Sequence, residues 1–142
     1  MYQVFLFVHL AGVIAWVGGA LSVAMLTTRL ASRPDTSTLP AGLRDIRFIG
    51  ATILGTGALL TMIGGFGLMA VLRLSPTLWI GYGLLGIVLS FGLGGTMVRR
   101  TSDRVLAAPD DRAAKQRLVA WNFAMVALLL SVVAAMVFKP TL

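Results

Sequence analysis

Apolar positions along the chain gather into four long blocks, at about residues 2–28, 48–72, 77–98 and 119–138, and polar positions gather between them. Each block supplies about the 20 apolar residues that an α-helix needs to cross a hydrocarbon core of roughly 30 Å. No Asp, Glu or Arg interrupts the blocks, and Arg73 stands just past the second. The pattern predicts an all-α fold, a polytopic membrane four-helix bundle. Residues 1–142 then form one domain, with 29–47 and 99–118 as its two long loops. The first block begins "MYQVF", without a charge, and its apolar run exceeds the roughly 7–15 residues of a signal-peptide core. It is expected to be a retained first helix.

The polar stretches set the topology. Residues 29–47, "RLASRPDTSTLPAGLRDIR", carry Arg29, Arg33, Arg44 and Arg47, and residues 99–118 carry Arg99, Arg100, Arg104, Arg112, Lys115 and Arg117. The short turn at 73–76 has Arg73 alone and the tail has Lys139 alone. Basic residues favour the cytoplasmic side, so both long loops are expected in the cytoplasm and both termini outside (N-out/C-out). In "APDDRAAKQRLVAWNF" either Asp110 or Asp111 is expected to cap the fourth helix, with Asp111 and Lys115 as an i,i+4 pair. Trp121 is then expected at the inner interface, Trp79 at the outer one, and Lys139 snorkelling outward.

Small residues recur at close-packing intervals: Gly50, Gly57 and Gly64 in the second block, Gly86, Ser90 and Gly94 in the third, and Ala120, Ala124, Ala127 and Ser131 in the fourth. In lipid such stripes let helix backbones approach, because no hydrophobic drive brings the helices together. "TMIGGFGL" is not a phosphate loop, since no strand precedes it and no Lys follows. It is expected to allow close packing or a break in the outer half of the second helix.

Composition narrows the functions. Hydrophobic residues make up 58% of the chain and mean hydropathy is +0.91, leaving no room for a soluble enzyme module. Cysteine is absent, which excludes disulfides, thiolate metal sites and thiol catalysis. The net charge of +7 sits in loops, where it signals topology rather than nucleic-acid binding. All five acids, Asp35, Asp45, Asp103, Asp110 and Asp111, also lie in the loops. Without an intramembrane carboxylate, proton-driven antiport lacks its usual relay.

That leaves His9, the one histidine and the one ionisable group deep in a block. Intramembrane ionisable groups are functional candidates by default. His9, Gly12, Val13, Trp16 and Ala20 share a helix face, and His9 would lie roughly 10 Å below the outer surface at about 1.5 Å per residue. Gly12 leaves a gap beside the imidazole and Trp16 supplies an aromatic wall, an arrangement that suits a porphyrin edge. Two readings stay open: His9 ligates a metal or haem b, or it only hydrogen-bonds a neighbouring helix. A second haem ligand would come from Met62, Met69 or Met136, at a similar depth, or from the histidine of a second copy. Met25, Met97 and Met125 lie toward the other end, and Tyr82 is a further polar group in the outer half. The expected surroundings are the lipid bilayer, with a homodimer or larger membrane complex if the chain pairs. No catalytic residue is assigned.

The block "HLAGVIAWVGG", with His9, Trp16, Gly18 and Gly19, resembles the first helix of a clan of small bacterial membrane proteins. The clan includes copper-resistance protein D, the HemJ-type protoporphyrinogen oxidase and an uncharacterised family of predicted integral membrane proteins. The last is similar to this chain over its whole length, including the ending "MVFKP" with Lys139 and Pro140. The oxidase implies a functional role for the first-helix histidine, matched here by His9, together with a lysine in a later helix. "LWIGYGLLGIVL" here carries no lysine. The copper-resistance relatives imply copper passage, for which this chain offers methionines as soft ligands.

Overall fold

The computed structural model describes residues 1–33, 35–74 and 77–138. Four helices fill it: α1 (Tyr2–Ala31), α2 (Leu39–Leu72), α3 (Leu78–Ala107) and α4 (Arg112–Phe138). Each is long and apolar enough to span a membrane. The helices pack in the order α2, α1, α4, α3, and α2 meets α3 chiefly at the arginine-rich end, where Arg47 and Asp103 pair at 2.7 Å. The bundle is therefore an open ring, with a gap between α2 and α3 along the rest of their length. Lys139 and the Lys139–Pro140 ending lie outside the described residues.

Two stretches expected as loops are largely helix. α2 begins at Leu39 rather than near 48, with Pro40 in its first turn, where a missing N–H costs nothing. α3 runs to Ala107 rather than 98, and α4 starts at Arg112 rather than 119. The connectors shrink to residues 32–38, 73–77 and 108–111. Leu39 and Leu43 on α2, Val105 on α3, and Ala114 and Leu118 on α4 bury together with Leu30 of α1. Most charged side chains of these extensions are exposed, so each extension is an amphipathic helix held by its neighbours. At about 1.5 Å per residue the 34 residues of α2 reach some 50 Å, well beyond the hydrocarbon core.

The helix ends follow the local chemistry. Asp111 caps α4: its Oδ1 accepts the Ala114 N–H at 3.1 Å. α2 ends at Arg73, whose left-handed backbone (φ 50°) turns its N–H to the Met69 carbonyl. Inside α3, Leu93–Val98 forms a π-helical segment, "LGGTMV", a geometry that recurs at functional sites.

Candidate functional site

α1 and α2 form an antiparallel seam that steps by seven residues. Gly64 lies against His9, Gly57 against Trp16 and Gly50 against Val23. A Cβ at Gly64 would fall 2.6 Å from His9 Cα, and one at Gly57 would fall 2.7 Å from the Trp16 nitrogen. The glycine stripe thus lets the two backbones touch, as expected. "TMIGGFGL" belongs to this packing: α2 continues through it unbroken, and Gly67 lies under the Phe5 ring.

Within the seam His9 Nδ1 lies 2.8 Å from the Thr61 carbonyl oxygen. A carbonyl only accepts, so Nδ1 carries the proton and donates it. Gly65 leaves room for the ring, since a Cβ there would stand 3.3 Å from Nδ1. The Thr61 hydroxyl donates to the Gly57 carbonyl at 2.8 Å and stays within α2. In the neutral ring, Nε2 then bears the lone pair.

Of the other expected site residues, Gly12, Trp16 and Met136 are engaged in helix packing. The gap expected at Gly12 is closed by α2: a Cβ there would fall 2.7 Å from Thr61 Oγ1 and 2.9 Å from the Gly57 oxygen. Trp16 is 6% exposed and packs into a core cluster with Ala20, Ala58, Met125, Val126 and Leu129. α2 covers the Gly12 part of the Gly12–Trp16 face. Met136 turns into the α3–α4 seam, over Gly83. Met62 and Met69 are half-buried and share a face of α2 with Gly65 by i,i+3 and i,i+4 spacing. Tyr82 bonds Ser131 of α4 at 3.0 Å, hydroxyl to hydroxyl. Among the described residues no three His, Cys, Asp or Glu side chains gather as a metal site.

A second site lies where the ring is open. A cavity of about 430 Å³ runs between α2 and α3, floored by α1 and α4, within the roughly 300–1,000 Å³ of small-molecule pockets. Trp16, Leu54, Phe91 and Met125 line it toward mid-bundle, and Arg47, Arg99, Ser102 and Asn122 line it toward the arginine-rich end. Gly94, Gly95 and Val98 of the π-helical segment form part of its wall. Asn122 donates one amide N–H to the Leu118 carbonyl at 2.8 Å. Ser102 is 2% exposed, and its hydroxyl has no hydrogen-bond partner among the described residues. A buried unpaired hydroxyl costs about 1–3 kcal/mol.

Sequence reasoning passed over Ser102 and Asn122. Asn122 carried a usable signal, as the only asparagine of the chain inside its fourth apolar block. Ser102 carried none, because it sits among charges in a stretch expected to be a loop. The chain matches no family model, no curated protein and no solved structure.

Proposed function

We propose that this multi-pass membrane protein is a non-catalytic structural or accessory subunit in which His9 fastens α1 to α2. The observation that carries this reading is the 2.8 Å bond from His9 Nδ1 to the Thr61 carbonyl, inside a seam that Gly64 and Gly65 close around the residue. Interhelical polar bonds in lipid average about 0.6 kcal/mol, a positioning contribution rather than a dominant one. Exposed apolar side chains such as Phe7, Ile14, Ile63 and Val88 face the surrounding lipid. The excess of basic residues in the connectors and the helix ends beside them supports an orientation with that end in the cytoplasm and both termini outside. The resemblance of the first helix to small bacterial membrane proteins supports a bacterial inner membrane. A homodimer or larger complex would use the same exposed faces.

A second reading, haem b bound through His9, draws on the same bond. Metal-ligating histidines characteristically donate their other ring N–H to a carbonyl, which aims the remaining nitrogen at the metal. A haem would then approach Nε2 from outside the Gly12–Trp16 face, with Met62, Met69 or a second copy supplying the other ligand. One preparation separates the readings. The protein is purified in mild detergent from haem-replete cells, and its absorption spectrum and copper content are measured beside those of His9→Ala. The first reading expects colourless, copper-free protein in both cases and a lower unfolding midpoint in the variant. A Soret band that His9→Ala abolishes would overturn it in favour of haem, and stoichiometric copper lost in the variant would point to copper passage instead.

A further inference from the structure

We propose that the cleft between α2 and α3 holds one anionic phospholipid. Its phosphate lies at Arg99 and Ser102, and an acyl chain runs along Gly95 and Gly55 toward Trp16. The argument begins from the shape of the lining. Leu43 to Gly55 on α2 and Ser90 to Ser102 on α3 both border the cleft, so it extends about 18 Å at 1.5 Å per residue. One end is polar and the other apolar, which is the division of an amphiphile. Phe91, Gly55 and Gly95 are exposed at the mouth, so the cleft opens sideways at bilayer depth, where lipid is the solvent.

The head end specifies an anion. Arg47 and Arg99 line it and no carboxylate does. Arg47 is already matched by Asp103, while Arg99 enters no ion pair among the described residues. Arg99 and Ser102 are three apart and stand side by side on α3. The unpartnered Ser102 hydroxyl is a donor that a phosphate oxygen would satisfy. A zwitterionic head group would bring its own cation toward Arg99 and forfeit the match. Basic pockets between membrane helices are suited to anionic head groups in general. The tail end is open as well: a Cβ at Gly55 or Gly95 would meet nothing within 4 Å.

The test is native mass spectrometry of the full chain in mild detergent, with phosphatidylglycerol, phosphatidylcholine or inorganic phosphate added. The expected result is phosphatidylglycerol retained about fivefold over phosphatidylcholine, the worth of one well-placed basic residue. Arg99→Gln removes that preference, whereas Arg33→Gln, in the exposed connector, leaves it intact. Ser102→Ala weakens phosphatidylglycerol binding without lowering the unfolding midpoint in lipid-free detergent, which a purely structural role would not allow. Gly95→Leu blocks both lipids while the circular dichroism stays that of the native helices, and Gly55→Leu on the facing wall does the same. Equal retention of the two lipids overturns the proposal. So does undiminished phosphatidylglycerol binding in Arg99→Gln or in both leucine variants. Inorganic phosphate that displaces the lipid and depends on Arg99 would show a site for the free anion instead.

Discussion

Gly64→Ala tests the α1–α2 seam at its narrowest point. The added methyl would fall 2.6 Å from His9 Cα and against the His9 backbone nitrogen, so no side-chain rotation relieves it. The helices must separate. Overpacking of this kind costs about 1–3 kcal/mol, and stretching the His9–Thr61 bond adds about 0.6 kcal/mol. Alanine also gains helix propensity over glycine, by up to about 1 kcal/mol, which partly masks the loss. Gly18→Ala removes the masking, since it gains the same propensity and its methyl would meet nothing within 4 Å. The two variants should therefore differ by about 2 kcal/mol, with Gly64→Ala the less stable. Reversible unfolding in mixed micelles of rising sodium dodecyl sulfate content, followed by circular dichroism and Trp fluorescence, measures the difference. Most of the penalty should persist in a His9→Ala background, because the clash is with backbone. Equal stability of Gly64→Ala and Gly18→Ala would refute the close seam.

Other expectations rest on single contacts. Asp111→Ala leaves the Ala114 N–H without its acceptor and should cost about 1 kcal/mol in the same assay, with Asp111→Asn nearly neutral. Arg73→Gly should stabilise by about 0.5–1 kcal/mol, because glycine adopts the left-handed end of α2 without a Cβ penalty, and an unchanged midpoint would contradict that φ. Asp35 accepts the Ser37 backbone N–H at 2.8 Å, which holds its carboxyl below the usual range, helped by the Ser37 side chain and Arg33. That turn is accordingly fully stabilised above the unfolded Asp pKa and loses the contribution as pH falls through the lower folded value. An NMR titration that places Asp35 at or above an ordinary aspartate would contradict it. Since the chain has no cysteine, Ser37→Cys and Asp110→Cys report orientation directly. Both thiols should resist a membrane-impermeant reagent added to intact cells, and labelling there would reverse the topology.

By itself the sequence determined the membrane class, the four spans, the glycine stripe of α2 and a carboxylate cap at Asp110 or Asp111, of which the structure selects Asp111. Each follows from local or periodic chemistry: run length against bilayer thickness, small residues at seven-residue steps, and a carboxylate before a helical run. Tertiary structure decided the rest. Leu39, Leu43, Val105 and Ala114 lie in charged stretches that read as loops, and only their mutual burial with Leu30 makes helix the better state there. Gly12 reads as a gap beside His9 because a single helix shows an empty face, but α2 fills it. The cleft and the unpartnered Ser102 were invisible for the same reason. A cavity belongs to no one segment, and it exists here because α2 and α3 pack on α1 and α4 rather than on each other.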